Sequence, residues 1–263
     1  KLLQRQGLSV GIVSRGYGGR DIAQPQWVLP DSSPLAVGDE AVMLSRRCEC
    51  PVVVCTDRVA AANALLERQV VDVLLSDDGL QHYALRRDIE IAVVDAERGL
   101  GNGWLMPAGP LREPSWRLDT VDFVVRNGDP SGFLLEPTGL HALTGAQRQD
   151  LGVFRDQRVH AVAGIGHPQR FFSALRQRGM EVIEHAFADH HQFSRKDFNF
   201  SGDLPILMTE KDAVKCSALG LSNAWYVPVD ALLAREWSEA FSRLVVEQVA
   251  GYFAESRESE DQA

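Results

Sequence analysis

The run Ser76-Asp77-Asp78-Gly79-Leu80-Gln81-His82 follows directly on the apolar stretch VVDVLL. A carboxylate at the end of a buried strand is where nucleotide-hydrolysing α/β proteins hold Mg2+. Asp-Asp-Gly is also ordinary turn chemistry, but two adjacent acids repel unless a cation or hydrogen-bond donors lie between them. Val37-Gly38-Asp39-Glu40 sets a second acidic pair ahead of AVMLSRRC, where acids equally complement the start of a helix. Glycine-rich loops follow two further apolar runs, SRGYGGR after LSVGIV and GLGNG after IEIAVVD. Glycine permits positive φ and lets backbone approach a phosphate closely, and it also makes plain loops. Arg15, Arg20 and Arg58 offer cations to phosphate. In the second half, Asp189-His190-His191 follows MEVIEHAFA, and Thr209-Glu210-Lys211-Asp212 follows PILM. A histidine beside an aspartate at a strand end can serve as an oriented base, whereas neither cluster has zinc spacing. Gly164-Ile165-Gly166 lacks the third glycine of a dinucleotide fingerprint, with Gln169 in its place.

Such groups act only if a sheet places them. LSVGIVS, PVVVC, VVDVLLSDDG, IEIAVVD and VDFVVRNG are short apolar runs separated by the helical stretches GDEAVMLSRRC and RVAAANALLERQ. Runs apolar on both faces predict a mostly parallel sheet covered on each side, so residues 1–128 read as an α/β domain. The regularity breaks around Asp129-Pro130, Gly132, Pro137 and Gly139, which predicts a linker or small hairpin over 129–157. VHAVAGIG, PQRFFSALRQRG, MEVIEHAFA, PILMT, EKDAVKC and AWYVPV then repeat the alternation, predicting a smaller α/β domain over 158–254 and a polar tail over 255–263. Ligands in such sheets lie at the carboxyl ends of the strands, where these acidic and glycine-rich groups fall.

With 263 residues, 45% hydrophobic and 24% charged, the chain is long enough for two domains with ordinary cores. Its net charge of -9 argues against a nucleic-acid binder, which carries a basic excess. No apolar run reaches the ~18 residues a membrane span needs. Four cysteines are too few for a disulfide scaffold and point to a reducing cytoplasm.

Taken in order, SRGYGG, GDE, Asp57-Arg58, SDDGLQH, PAGPLRE, GIGHPQRFF, DHH and TEKDAVK closely resemble the tetraacyldisaccharide 4′-kinase family of lipid A biosynthesis, over about Leu8 to Val229. The resemblance implies two Rossmann-like, P-loop-kinase-type α/β domains, peripheral at the cytoplasmic side of the inner membrane of Gram-negative bacteria. It implies ATP- and Mg2+-dependent phosphorylation of the 4′-hydroxyl of a lipid A disaccharide 1-phosphate. Residue by residue, it makes Asp39 the base for the sugar hydroxyl, with His190 orienting it and His191 the adjacent competitor. Glu40, Asp77 and Asp78 would surround Mg2+, Gln81 and Asn102 would meet nucleotide or sugar, and Arg58 would contact phosphate or head group.

One departure stands out. No G-x-x-x-x-G-K-[ST] string occurs in these residues, and KLLQRQG looks like the end of a helix whose start is not present. The expectation is a fragment or truncated gene product whose phosphate loop lies upstream and whose own turnover is very low. Two other readings compete: a non-catalytic module that binds a sugar phosphate or a partner, and a metal-dependent phosphohydrolase using Asp39, Asp77 and Asp78.

Overall fold

A computed structural model describes residues 1–20 and 22–260 of the chain. Its central strands are the valine- and isoleucine-rich runs, since β-branched side chains fit a pleated surface buried on both faces. After the single helical turn α1 (Leu2–Arg5), β1 (Val10–Ser14) is buried at every position. It lies between the parallel strands β3 (Val52–Val54) and β4 (Val73–Ser76), with the short antiparallel β2 (Gln26–Trp27) on the edge, in the order β2-β3-β1-β4. Helices α2 (Pro34–Val37) and α3 (Asp39–Cys48) cover one face through Val37, Ala41 and Val42. Helix α4 (Arg58–Leu66) covers the other through Ala61, Ala62 and Leu65. Asp57 starts α4 by accepting the Val59 and Ala60 N–H groups.

A second sheet begins with β5 (Ile91–Asp95) and β6 (Phe123–Asn127), paired in parallel from Ile91↔Phe123 to Asp95↔Asn127. β7 (Phe133–Pro137) joins β6 only at Asn127↔Phe133. The chain then enters a third sheet through the hairpin β8 (Leu140–Ala142) and β9 (Arg148–Gln149). Four parallel strands complete it: β10 (Arg158–Ala163), β11 (Glu181–Ala186), β12 (Ile206–Thr209) and β13 (Ala224–Val227), in the order β11-β10-β12-β13-β8-β9. Helix α5 (Pro168–Arg176) packs Phe172 and Leu175 on one face, and α6 (Glu210–Cys216) packs Ala213 and Cys216 on the other.

Immediately after Pro228 the chain returns, as β14 (Val229–Leu233) pairs antiparallel with β7 to give the order β14-β7-β6-β5. Where the two crossings run side by side, the Thr138 N–H donates to the Pro228 carbonyl at 3.0 Å. Helix α7 (Arg235–Glu260) then lays Trp237, Phe241 and Val245 on Leu3, Val10 and Phe123. Trp237 and Phe241 stack with centroids 5.2 Å apart, so the apolar stripe of this helix is core packing.

Residues 129–157 therefore supply β7 to one sheet and the β8–β9 hairpin to another. Residues 229–260 lie with the first half of the chain, although an unbroken alternation in sequence reads them into the second. The helix runs on through Glu260, into the stretch where a polar tail is expected; residues 261–263 of that tail lie outside the described residues. No helix among the described residues is long and apolar enough to cross a membrane.

Candidate active site

Asp39 begins α3, and only 5% of it is exposed. Its position depends on Gly38, which has a φ of 93° and a backbone so close to the SRGYGGR loop that a Cβ would lie 2.6 Å from the Tyr17 carbonyl oxygen. Only glycine fits there without moving the loop off the helix start. The Asp39 carboxylate accepts its neighbour's Glu40 N–H through Oδ1 at 2.9 Å, which leaves Oδ2 to face the second half of the molecule.

What meets Oδ2 comes from the loop after β11. His190 Nδ1 lies 3.3 Å away, and the histidine backbone is in the left-handed region at φ 57°, where the Asp189 carboxylate accepts its N–H at 3.0 Å. The Tyr17 ring stands edge-on to the imidazole, 4.9 Å between centroids. His191 turns away, 3.5 Å from Asp197 and against Phe187. The geometry thus separates two histidines that are adjacent in sequence.

Helix α6 brings two lysines to the same junction. Thr209 caps it by accepting the Asp212 N–H at 3.2 Å, and Lys211 and Lys215, four residues apart, then share the face toward α3. Lys211 Nζ lies 2.9 Å from Glu40, 3.3 Å from Asp189 and 3.4 Å from His190 Nε2. Burial alone would lower its pKa, but Glu40, with Asp39 and Asp189 behind it, raises it above the usual lysine value. Lys215 Nζ sits 3.7 Å from Asp39 Oδ2 and 2.8 Å from Asp212 Oδ1.

The second acidic group lies at the end of β4. Asp77 accepts from Ser14 Oγ at 3.0 Å. Burial pushes its carboxyl pKa up, and the charges of Glu40 and Asp78 add to that, against the opposing pull of Ser14 and Arg58. Asp78, at φ 46°, directs its carboxylate to Arg112 at 3.0 Å. Arg58 is almost fully buried and donates to the Asp78 carbonyl at 3.0 Å and the Asp77 carbonyl at 3.4 Å. Burial lowers its pKa, with Asp78 countering.

The other two expected site residues are engaged within loops. Gln81 donates to Glu113 at 2.5 Å, and Glu113 also accepts from the Tyr83 hydroxyl at 2.6 Å. Asn102 spans its own loop, donating to the Ala108 carbonyl at 3.0 Å and accepting the Trp104 N–H at 3.1 Å. The structure therefore joins Asp39, Glu40 and His190 directly and places Asp77, Asp78 and Arg58 in a neighbouring cluster. Gln81 and Asn102 hold the adjoining loops. Ser14, Tyr17 and Lys215 lie in the SRGYGGR and TEKDAVK motifs, but the sequence assigns them no role; the one further signal for Lys215 is its four-residue spacing from Lys211.

No three acidic or histidine side chains among the described residues converge into a closed metal cage. Mg2+ seldom uses one, since it binds through one or two carboxylates together with water and substrate phosphates. Asp77, half-buried beside Glu40 and Asp78, whose charges help to raise its pKa, fits that kind of ion. The arrangement couples a buried carboxylate–imidazole pair to an acidic strand end and a glycine-rich loop, which suits phosphoryl transfer to a hydroxyl.

Comparison with known proteins agrees. A family model described as tetraacyldisaccharide-1-P 4′-kinase matches residues 1–247. The tetraacyldisaccharide 4′-kinase of Nitrosococcus oceani is 52% identical over 238 residues, covering 89% of this chain and 70% of the relative. That of Alkalilimnicola ehrlichii is 50% identical over 234 residues, covering 87% of this chain and 70% of the relative. Among solved structures, LpxK from Aquifex aeolicus in complex with ATP superposes with a TM-score of 0.75 at 25% identity, covering 94% of this chain and 80% of that one.

Proposed function

The chain belongs to the tetraacyldisaccharide 4′-kinase family, and from that premise we propose how its residues divide the phosphorylation of the 4′-hydroxyl of a lipid A disaccharide 1-phosphate by ATP. The relatives support this kinase reading and neither the binding-module nor the phosphohydrolase alternative.

Asp39 takes the proton from the acceptor hydroxyl as its oxygen bonds to the γ-phosphorus, while the bond to the leaving ADP oxygen breaks. The observation that carries this assignment is the 3.3 Å contact between Asp39 Oδ2 and His190 Nδ1 across the two halves of the molecule. His190 orients the carboxylate and stabilises the charge passing through it. Phosphoryl transfer has a loose transition state, so positioning and charge neutralisation matter more than base strength. Asp77, with Asp78 and Glu40 beside it, would hold Mg2+. When bound, the ion neutralises negative charge on the transferring phosphoryl group. Arg58 sets the Asp77-Asp78 backbone, and Gln81 and Asn102 keep the flanking loops in the shape that receives nucleotide and sugar.

The substrate carries four acyl chains, which supports peripheral contact with the membrane, and the need for ATP supports its cytoplasmic side. The loop beside the acidic strand end exposes Trp104, Met106 and Trp116, side chains suited to an apolar–aqueous boundary. Transfer of labelled phosphate from ATP to the disaccharide in detergent micelles, measured for the full-length protein and for Asp39→Ala, tests the reading. Undiminished transfer by the variant would remove Asp39 from the role.

A further inference from the structure

Lys215 is a buried cation that lies between two carboxylates, one on its own helix and one on the opposing α3. Its side chain is 2% exposed, and that of its nearest partner, Asp212, is 0% exposed. Asp212 Oδ2 accepts from the Gly164 N–H at 2.9 Å and the Thr209 hydroxyl at 2.6 Å, while Oδ1 has Lys215 as its counter-ion. The lysine is seated against the Phe193 ring, 5.0 Å from ammonium to centroid, and its Nζ finds no aligned hydrogen-bond acceptor. Burying an ammonium costs several kcal/mol, and a methionine of similar length, with a neutral asparagine at 212, would pack here without either charge. What a methionine could not do is attract the other carboxylate within reach. That carboxylate is Asp39, 3.7 Å away on the opposing α3.

We propose that Lys215 is a positioning residue for phosphoryl transfer, tying Asp39 Oδ2 to the second half of the molecule. This rests on the reading of Asp39 as proton acceptor. The carboxylate is then fixed from three sides: the Glu40 N–H on Oδ1, and His190 and Lys215 on Oδ2. Both groups on Oδ2 belong to the second half, so Asp39 takes its working orientation only while the two halves are docked. Val214, next to Lys215, is buried in the core formed by α2, α3 and the first sheet, which fixes the lysine at that junction. Lys215 touches no reacting atom and acts through Asp39.

The test is steady-state kinetics of the full-length enzyme on tetraacyldisaccharide 1-phosphate in mixed micelles. Lys215→Met should lower kcat about 10- to 100-fold, with KM for ATP and lipid within about threefold. Lys215→Arg, which keeps the charge, should recover most of that loss. Because Lys215→Met strands Asp212 without its cation, the double variant Asp212→Asn/Lys215→Met removes both charges and serves as the folded comparison; its kcat should remain low. Wild-type kcat in the double variant would overturn the proposal, as would equal losses for the arginine and methionine variants with normal unfolding temperatures. Asp39→Asn in the same assay separates the two ideas: if it leaves kcat unchanged, the assignment of Asp39 has failed, and with it the premise for Lys215.

Discussion

Arg170 on α5 grips Asp95 at the end of β5 with both nitrogens of its fork, Nη1 to Oδ2 at 2.5 Å and Nη2 to Oδ1 at 2.9 Å. A second carboxylate, Glu97, accepts from Nη2 at 2.8 Å. The pair joins two sheets that share no strand, so its effect falls on how the halves dock. Arg170 holds the Asp95 carboxyl well below the usual carboxylate range, so the contact is intact above the ordinary pKa near 3.9 and is lost only as pH falls through the lower folded value. Being solvent-exposed, it adds little to global stability. Arg170→Ala should leave the unfolding temperature within about 2 °C but raise KM for both substrates several-fold. The difference from wild type should shrink between about 50 and 500 mM salt, which kinetics at the two ionic strengths will read.

The Asp39–His190 pair predicts unequal losses. Asp39→Asn removes the proton acceptor and should lower kcat by about 10²- to 10⁴-fold, whereas His190→Ala removes only its orientation and should cost about 10- to 10²-fold. KM for ATP should stay within about threefold in both. A large KM change in either would make that residue a substrate-binding group.

The acidic strand end was legible in the sequence because an apolar run ends in Asp77-Asp78, and strand ends are where a parallel sheet exposes its ligand-facing groups. The parallel pairing of β1, β3 and β4 was legible for the same reason, from runs apolar on both faces. The choice between His190 and His191 had no such signal, because it turns on a left-handed backbone conformation at His190. Lys215 closes the TEKDAVK motif, but its role was not legible, since a lysine on a short helix looks like a solvated face until another half of the molecule covers it. The return of β14 to β7 was equally hidden, because periodicity marks a strand but not its partner.

A histidine pair remote from the site predicts acid sensitivity. His160 Nδ1 lies 3.0 Å from His185 Nε2, and both rings stack on Phe200. Burial lowers the pKa of each, with Arg158 adding to the effect on His160 and His160 to that on His185. For a base with a lowered folded pKa, stability is fully present above the unfolded value near 6.5 and is lost as pH falls through the folded one. The unfolding temperature should drop by several degrees between about pH 7.5 and 5.5, and by less in His185→Gln. Equal drops in the two proteins would place the acid sensitivity elsewhere.

Arg58 tests how the acidic loop is held. Its Nη2 donates to two successive carbonyls, those of Asp77 and Asp78, and the residue is almost fully buried. Lysine keeps the charge but on a shorter side chain, whose ammonium does not reach the place that Nη2 holds between the two carbonyls. The loop should then relax and Asp77 lose its register with Ser14, while the sheet beneath stays folded. Arg58→Lys should raise the Mg2+ concentration for half-maximal activity by roughly tenfold, because the misplaced group is the one that meets the ion. At saturating Mg2+ the kcat should recover to within about fivefold of wild type. Arg58→Met, which leaves both carbonyls unpaired, should in addition cost about 1–3 kcal/mol of stability, measurable by denaturant unfolding. A rise in KM for ATP with an unchanged Mg2+ requirement would instead mean that Arg58 contacts the nucleotide directly.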